Sequence, residues 1–511
     1  MIKKNDILTG TVQSFGSDGE GVLRMEDYVF FVPYALPGEK ISFRVLKIQG
    51  KIGYGKVEEI FVSSPDRVSP VCPVFHTCGG CGLQHMNYAL QTEYKREKVK
   101  NALLKIGGAE AEVSPVVPCA SPYGYRNKLQ LPVGVDGNGN TVLGFYAERS
   151  HRIVPIDRCY IHPEWSAKLI AVFKEYLACS EAKGYDERAK KGLIRHLVAR
   201  EIDGKYLVTI VATEKNLPEK ELLIEKLQTA FPGCSAFVNV NKSDSNVIFG
   251  DRFYSLCGAE HIEGETDGIA YEAGAETFVQ VNPEIREKLY ERAMEACFAG
   301  GAEVVIDAYS GGGLMTAMAA RRAKRAYGIE LNAEASACAE SLKKKNNLAN
   351  MTNVCGDAAA ELPRIMAEEN GEKTVLILDP PRAGVARSVL YAILKSKIER
   401  FVMISCDPAT LARDLGILTG TLVEKDGVLI KNTAGARDNR ENNYFRIESV
   451  EPFDMFPQTK HVETLVVLSH KKPDSHLEVK IDFDNTALDK TAIAERAETR
   501  KPQEKTTYKN M

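Results

Sequence analysis

From about Asn282 onward the chain alternates helix-like with strand-like segments, and this rhythm constrains its fold more than any other feature. PEIREKLYERAMEAC is followed by AEVVIDAYSGGG, LMTAMAARRAK, RAYGIEL, AEASACAESLKKKNN, NVCGDA, TVLILDPPRAG and KIERFVMISCDP. The strands are short continuous apolar runs, as expected of a parallel sheet buried on both faces beneath helices. The pattern predicts a Rossmann-like domain over 276–470, with a ligand site beyond the carboxyl ends of its strands.

The rest of the chain is organised differently. A single core stops growing near roughly 250 to 300 residues, so 511 residues predict several domains. Residues 1–62 read as short strands (ILTGTVQSF, GEGVLRM, YVFFVPY, KISFRVLKI, YGKVEEIFV) separated by Gly, Asp and Pro turns, which predicts a five-stranded OB-like barrel. Residues 63–275 form a central α+β domain: a Pro-, Gly- and Cys-rich stretch, a helix near 88–106, then strands with hairpin signals at GVDGNGNT and Asp203-Gly204 and a helix at 164–182. The expectation is thus a multidomain α/β chain, with a charged tail over 471–511 lacking a folding pattern. No apolar run approaches the roughly 18 residues of a membrane span, and MIKKNDILTGTVQSFG lacks a signal-peptide apolar core, so a soluble, cytoplasmic protein is expected. The net charge of −3 excludes a wholly basic nucleic-acid coat and leaves room only for local basic surfaces.

Three features carry chemistry. VVIDAYSGGG puts an acid and then Gly311, Gly312 and Gly313 after the first strand, while Glu330 ends the next, where a carboxylate can accept both ribose hydroxyls of a nucleoside. The G-x-G-x-x-G spacing of nicotinamide enzymes is absent. ISCDPATLARDL sets Cys406 just past a buried strand and before a helix starting near Thr410, where a helix N-terminus or a cation would favour a nucleophilic thiolate. Cys72, Cys78 and Cys81, with Cys159 as a fourth thiol, suit either tetrahedral zinc or a [4Fe–4S] cluster, and spacing alone leaves both open.

LDPPRAG (378–384), SCDPATLARD, DMFPQTKHVETL and FVQVNP (278–283) together resemble the RNA uracil-5-methyltransferase family, whose members act on 23S ribosomal RNA and tRNA. GSDGEGV and FVPYALPGE resemble the TRAM type of barrel, and the cysteine spacing resembles the cluster-bearing members of the same family. The resemblance covers about residues 5–475. It implies an S-adenosylmethionine-dependent enzyme that forms 5-methyluridine, with Cys406 as nucleophile and Glu463 as the base. It also implies that Gln280, Tyr309, Glu330 and Asp379 bind the cofactor, and it favours [4Fe–4S] over zinc at the four cysteines. The chain departs from the family at Leu314, where the glycine-rich turn usually continues with a polar residue, and in a longer, polar connection over 420–447.

The implied chemistry explains why these residue types are needed. Uracil C5 is a weak nucleophile until a thiolate adds to C6, and the C5 proton must afterwards be removed before the thiolate can leave. The base must be taken out of its stack, so an unpaired uridine is expected, with Phe278 as a stacking face. Basic stretches at 95–100, 125–130 and 188–196 are further RNA candidates, Tyr125 and Arg126 forming a possible stack-and-phosphate pair. The barrel and the cysteine cluster favour 23S ribosomal RNA over tRNA as the substrate. A non-catalytic iron–sulfur RNA-binding protein is the alternative from another class. Nothing in the sequence points to a protein partner.

Overall fold

A computed structural model describes residues 2–369, 373–432 and 444–470. The alternating region forms a seven-stranded sheet from β1 (Val304–Asp307), β2 (Arg325–Glu330), β3 (Met351–Cys355), β4 (Thr374–Leu378), β5 (Arg400–Ser405), β6 (Phe445–Phe453) and β7 (Glu463–His470). Their order is β3-β2-β1-β4-β5-β7-β6. Neighbours from β3 to β5 are parallel, whereas β7 runs antiparallel to both β5 and β6. Strand order reverses between β1 and β4, so the switch point lies where VVIDAYSGGG and LDPPRAG leave the sheet.

Alternate side chains of these strands enter two separate cores. Val305, Ile377, Val402 and Ile404 pack with α1 (Pro283–Phe298), α2 (Leu314–Ala320) and α3 (Ala333–Lys345) on one face. Val304, Ile306, Leu376, Leu378, Phe401 and Met403 pack with α4 (Ala358–Glu368), α5 (Arg387–Leu394) and α6 (Pro408–Thr419) on the other. A strand buried on both faces has no polar alternation to show, which is why these segments read as continuous apolar runs. Helix α6 starts at Pro408 rather than near Thr410. The Asp407 carboxylate accepts from the Ala409 and Thr410 amides (2.8 and 3.1 Å), and Pro408 fits the first turn because it has no N–H to satisfy.

Residues 7–62 form a six-stranded curled sheet around Phe30, Phe43, Ile41 and Val45, not the five strands expected. The first expected strand breaks at Val12 and Gln13, whose amides turn to Glu39 and Val22 instead of a single neighbour. The following region contributes a helix (Tyr88–Ala102) and a second seven-stranded sheet covered by helices Glu164–Cys179 and Lys220–Ala230. Both hairpin signals hold: strands Lys128–Val135 and Thr141–Tyr146 pair across GVDGNGNT, and Ile194–Ile202 pairs with Lys205–Ala212 across Asp203 and Gly204, both at positive φ. Of the polar connection at 420–447, Leu422–Lys425 and Val428–Lys431 form a hairpin, while 433–443 lie outside the described residues, as does the expected tail from 471. Among the described residues no helix is long and apolar enough to cross a membrane.

Candidate active site

Cys406 follows the last residue of β5, and Glu463 is the first residue of β7. Ser405 pairs with Thr464 and Phe453 with Glu463, so strand register alone brings the thiol and the carboxyl to one sheet edge. Asp379 leaves β4 beside them at the head of Pro380 and Pro381. Glu463 is buried (3% exposed), and burial, reinforced by the charge of Asp379, pushes its carboxyl up to about 8. Burial, with the Asp307 carboxylate behind it, lifts Asp379 to about 7.

The surroundings of Cys406 differ from the sequence expectation. Its thiol is half-buried, and burial, together with Glu463 and Asp379, pushes it up to about 11; the positive charge of Arg382 opposes that rise without cancelling it. A helix N-terminus nearby does not outweigh two carboxyls and desolvation. Arg382 lies within LDPPRAG, whose spacing alone assigns it no role. It is exposed and acts on Cys406, Glu463 and His461 together. The signal for it was the cation in D-P-P-R, directly after the carboxylate strand end.

At the switch point Glu330 accepts from the Gly311 amide (2.9 Å) and the Asn332 amide (2.7 Å), which fixes its carboxylate at the carboxyl end of β2. Gly313 sits at φ +82°, and a Cβ there would meet that of Ala339 at 2.7 Å. Gly328 lets β2 pass the Ser310 and Thr316 hydroxyls, both 2.9 Å from where its Cβ would stand. Asp307, fully buried at the end of β1, accepts from the Thr316 hydroxyl (2.8 Å); its Oδ1 has no partner, and burial raises it to about 7. The sequence reading noted this acid without assigning it a role. Thr316 supplies a polar group two residues after the apolar departure at Leu314. Gln280 is buried and Tyr309 half-buried, each on a segment leading into or out of the same region. An orphaned buried carboxylate oxygen, a glycine-lined turn and a fixed carboxylate at the next strand end suit a cationic nucleoside cofactor.

Cys72, Cys78, Cys81 and Cys159 all line one cavity of about 880 Å³, which also reaches Phe278, Arg382, Phe456 and His461. The thiols are free, and burial pushes Cys81 and Cys159 up to about 12. The Gly80 amide points at the Cys78 sulfur (3.4 Å), a hydrogen bond that stabilises a thiolate. As placed, no three Cys, His, Asp or Glu side chains among the described residues make a group that could hold an ion, so the thiols converge on one cavity without closing a metal shell. Four soft donors in a common cavity nevertheless match the chemistry of a thiolate-bound group, whose positive charge would offset the desolvation that now raises them.

The remaining RNA candidates divide. Phe278 is 74% exposed at the cavity mouth, free to stack. Tyr125 is buried and its hydroxyl donates to the Pro457 carbonyl (2.9 Å), so it cannot stack on a base, whereas Arg126 lines the cavity. In the stretch 95–100, Lys95 is wholly buried against Asp454 (2.5 Å) and Lys98 donates to the Lys460 carbonyl (2.9 Å), so both are structural. In 188–196, Lys190 pairs with Asp244 at the surface and Arg195 is buried.

Comparison with known proteins gives a consistent result. The family model described as tRNA (Uracil-5-)-methyltransferase matches residues 255–429. An uncharacterized RNA methyltransferase of Halalkalibacterium halodurans is 39% identical over 474 residues, 92% of this chain and 98% of its own. One of Listeria innocua is 37% identical over 474 residues, 92% and 99% of the two chains. The crystal structure of Pyrococcus abyssi tRNA (uracil-54, C5)-methyltransferase in complex with S-adenosyl-L-homocysteine is similar with a TM-score of 0.67 and 27% identity, over 90% of this chain and 100% of that one.

Proposed function

The chain belongs to the RNA (uracil-5-)-methyltransferase family, an S-adenosylmethionine-dependent family, and from that premise we propose that it converts a specific unpaired uridine of 23S ribosomal RNA to 5-methyluridine by covalent catalysis at Cys406. The observation that carries this reading is the meeting of Cys406 and Glu463 at one sheet edge through the register of β5 and β7. Gln280, Tyr309, Glu330 and Asp379 hold the cofactor, which supplies the methyl group.

The Cys406 thiolate adds to C6 of the uracil, and the electron pair displaced onto C5 takes the methyl group; the cofactor, when bound, would supply that group from its sulfonium and keep the S–CH3 bonding pair as a neutral thioether. Glu463 then removes the C5 proton: the C5–H bond breaks, an O–H bond forms on the carboxylate, the C5–C6 double bond returns and the thiolate leaves. A carboxyl raised to about 8 is a stronger base, when ionised, than an ordinary glutamate. Arg382 faces the thiolate that forms and departs. Phe278 stacks on the extracted base or its neighbour.

Residues 1–62 are read as a TRAM barrel, 63–275 as a central domain and 276–470 as the methyltransferase domain. Cys72, Cys78, Cys81 and Cys159 hold a [4Fe–4S] cluster, which would tie their separate segments together. A second reading, the same reaction on tRNA, is favoured by the Pyrococcus abyssi tRNA enzyme, whose whole chain aligns with 90% of this one. The barrel therefore does not by itself separate the two substrates. Incubation with labelled S-adenosylmethionine and unmodified 23S ribosomal RNA or tRNA, followed by nucleoside analysis, tests the proposal. Labelled 5-methyluridine in ribosomal RNA supports it, label only in tRNA moves it to the second reading, and label in neither removes it.

A further inference from the structure

The segment that delivers Glu463 to the cleft, Asp454 to Val462, is buried at six of its nine residues and partly buried at Phe456, Lys460 and His461, yet forms no strand. Distant parts of the chain hold its backbone. The Lys95 ammonium, paired with Asp454, also donates to the Phe456 carbonyl (3.0 Å), and the Tyr125 hydroxyl donates to the Pro457 carbonyl (2.9 Å). Most of these contacts are single, but Gln458 makes four. Its carbonyl accepts the amides of Gly82 (3.1 Å) and Leu83 (3.0 Å), the two residues directly after Cys81. Its side-chain oxygen accepts from the Gln91 amide group (3.0 Å), and its own backbone N–H donates to the Gln91 side-chain oxygen (3.1 Å).

Gln458 also lies at φ +69°, in the left-handed region a glutamine rarely adopts. Such a conformation persists only where the surroundings over-determine it. The four hydrogen bonds do that at a residue 2% exposed, five positions before Glu463. The register of β7 fixes Glu463 from its C-terminal side; the Gln458 clamp fixes it from the other.

We propose that Gln458 is a positioning residue for the base Glu463, and that the backbone just past Cys81 holds it, so that the cysteine segment governs proton removal from C5 rather than attack at C6. The inference rests on the covalent mechanism proposed above. If Glu463 drifts, the C5–H bond of the methylated adduct breaks slowly and the C6–S bond stays intact. A displacement of about 1 Å can cost on the order of a hundredfold in such a step.

The test uses the full chain with Gln458→Ala, Gln91→Ala and Gly82→Pro, the last removing one of the two amides that the Gln458 carbonyl accepts, each incubated with S-adenosylmethionine and substrate RNA and resolved on a denaturing gel. With ordinary uridine, each variant should leave about tenfold more protein covalently joined to methylated RNA than wild type. With 5-fluorouridine at the target, whose C5 fluorine cannot leave as a proton does, wild type and variants should trap RNA at equal rates. A fold-wide defect slows trapping in both RNAs. Wild-type adduct levels in Gln458→Ala and Gln91→Ala, or equal slowing with both RNAs, would overturn the proposal, and wild-type levels in Gly82→Pro alone would sever the cysteine segment from it. If wild type itself traps no 5-fluorouridine RNA, the covalent mechanism fails and not the clamp.

Discussion

The sheet-edge cleft and the cysteine cavity share Arg382, yet their charge content differs. In the cleft, Asp307, Asp379 and Glu463 are carboxyls raised by burial to between about 7 and 8. In the cavity, Arg126, Lys128, Arg149, Arg158, Arg200 and Arg382 face a single acid, Glu148, among the described lining residues. Burial, helped by Arg200 and Arg126, lowers Lys128 to about 8, and burial lowers Arg200 to about 10. In the cleft Arg382 is the cation that acts on Glu463 and Cys406, whereas in the cavity six cations face one acid. An acid-rich cleft suits a sulfonium cation, and a cation-rich cavity suits a phosphate backbone.

Changes that break this comparison should differ in size. The largest effect is expected at the boundary: Cys406→Ala should lower single-turnover methylation by more than about a thousandfold while leaving RNA affinity intact. Within the cleft, Asp307→Asn should weaken S-adenosylmethionine by about tenfold, one pKa unit's worth of interaction, and weaken the uncharged thioether product less, as read by calorimetry with each ligand. In the cavity, Lys128→Gln should raise the Kd for RNA several-fold, lower the slope of log Kd against log salt by about 1, and leave cofactor binding unchanged. A loss of cofactor affinity in that variant would erase the distinction between the two regions.

The pH response has a definite sign. With Cys406 raised to about 11 and Glu463 to about 8, the thiolate share grows about tenfold per pH unit and the carboxylate share about tenfold in all between pH 7 and 9, so the methylation rate should climb by about tenfold or more over that range. Stability should move the other way. Asp307, Asp379 and Glu463 hold protons in the folded chain up to about 7 or 8, whereas unfolded carboxyls lose theirs near about 4. Their contribution, present in full below about 4, is therefore lost as pH rises through the folded values. Thermal melts from pH 5 to 9 should show that decline, flatter in Asp307→Asn.

The two regions also differ in how much of them the sequence revealed. In the cleft, position follows from periodicity. A continuous apolar run defines a strand, its end defines the carboxyl edge, and Cys406, Glu330 and Asp379 could be placed there by counting. The charge state of Cys406 could not, because it depends on Glu463, far along the chain, and on burial that composition does not report. The cavity gathers loop residues from separate segments, so Cys159 could be offered as a fourth thiol to the other three but follows from no local period, and the resemblance served to favour [4Fe–4S] over zinc. Tyr125 and Lys95 misled for a related reason. Their neighbours in sequence are basic and polar, but their partners, Pro457 and Asp454, come from a segment more than three hundred residues away. The sixth barrel strand was hidden because Val12 and Gln13 turn their amides to different partners, a long-range choice that alternation does not encode.

Cys406 is proposed to form the bond to uracil C6, and peptide mapping of the complex trapped with 5-fluorouridine RNA reads that bond itself. A nucleotide bearing the transferred methyl group should be found on the peptide containing Cys406 and on no other. A methylated nucleotide attached to a different cysteine, or methylation of uridine that persists in Cys406→Ala, would contradict the account.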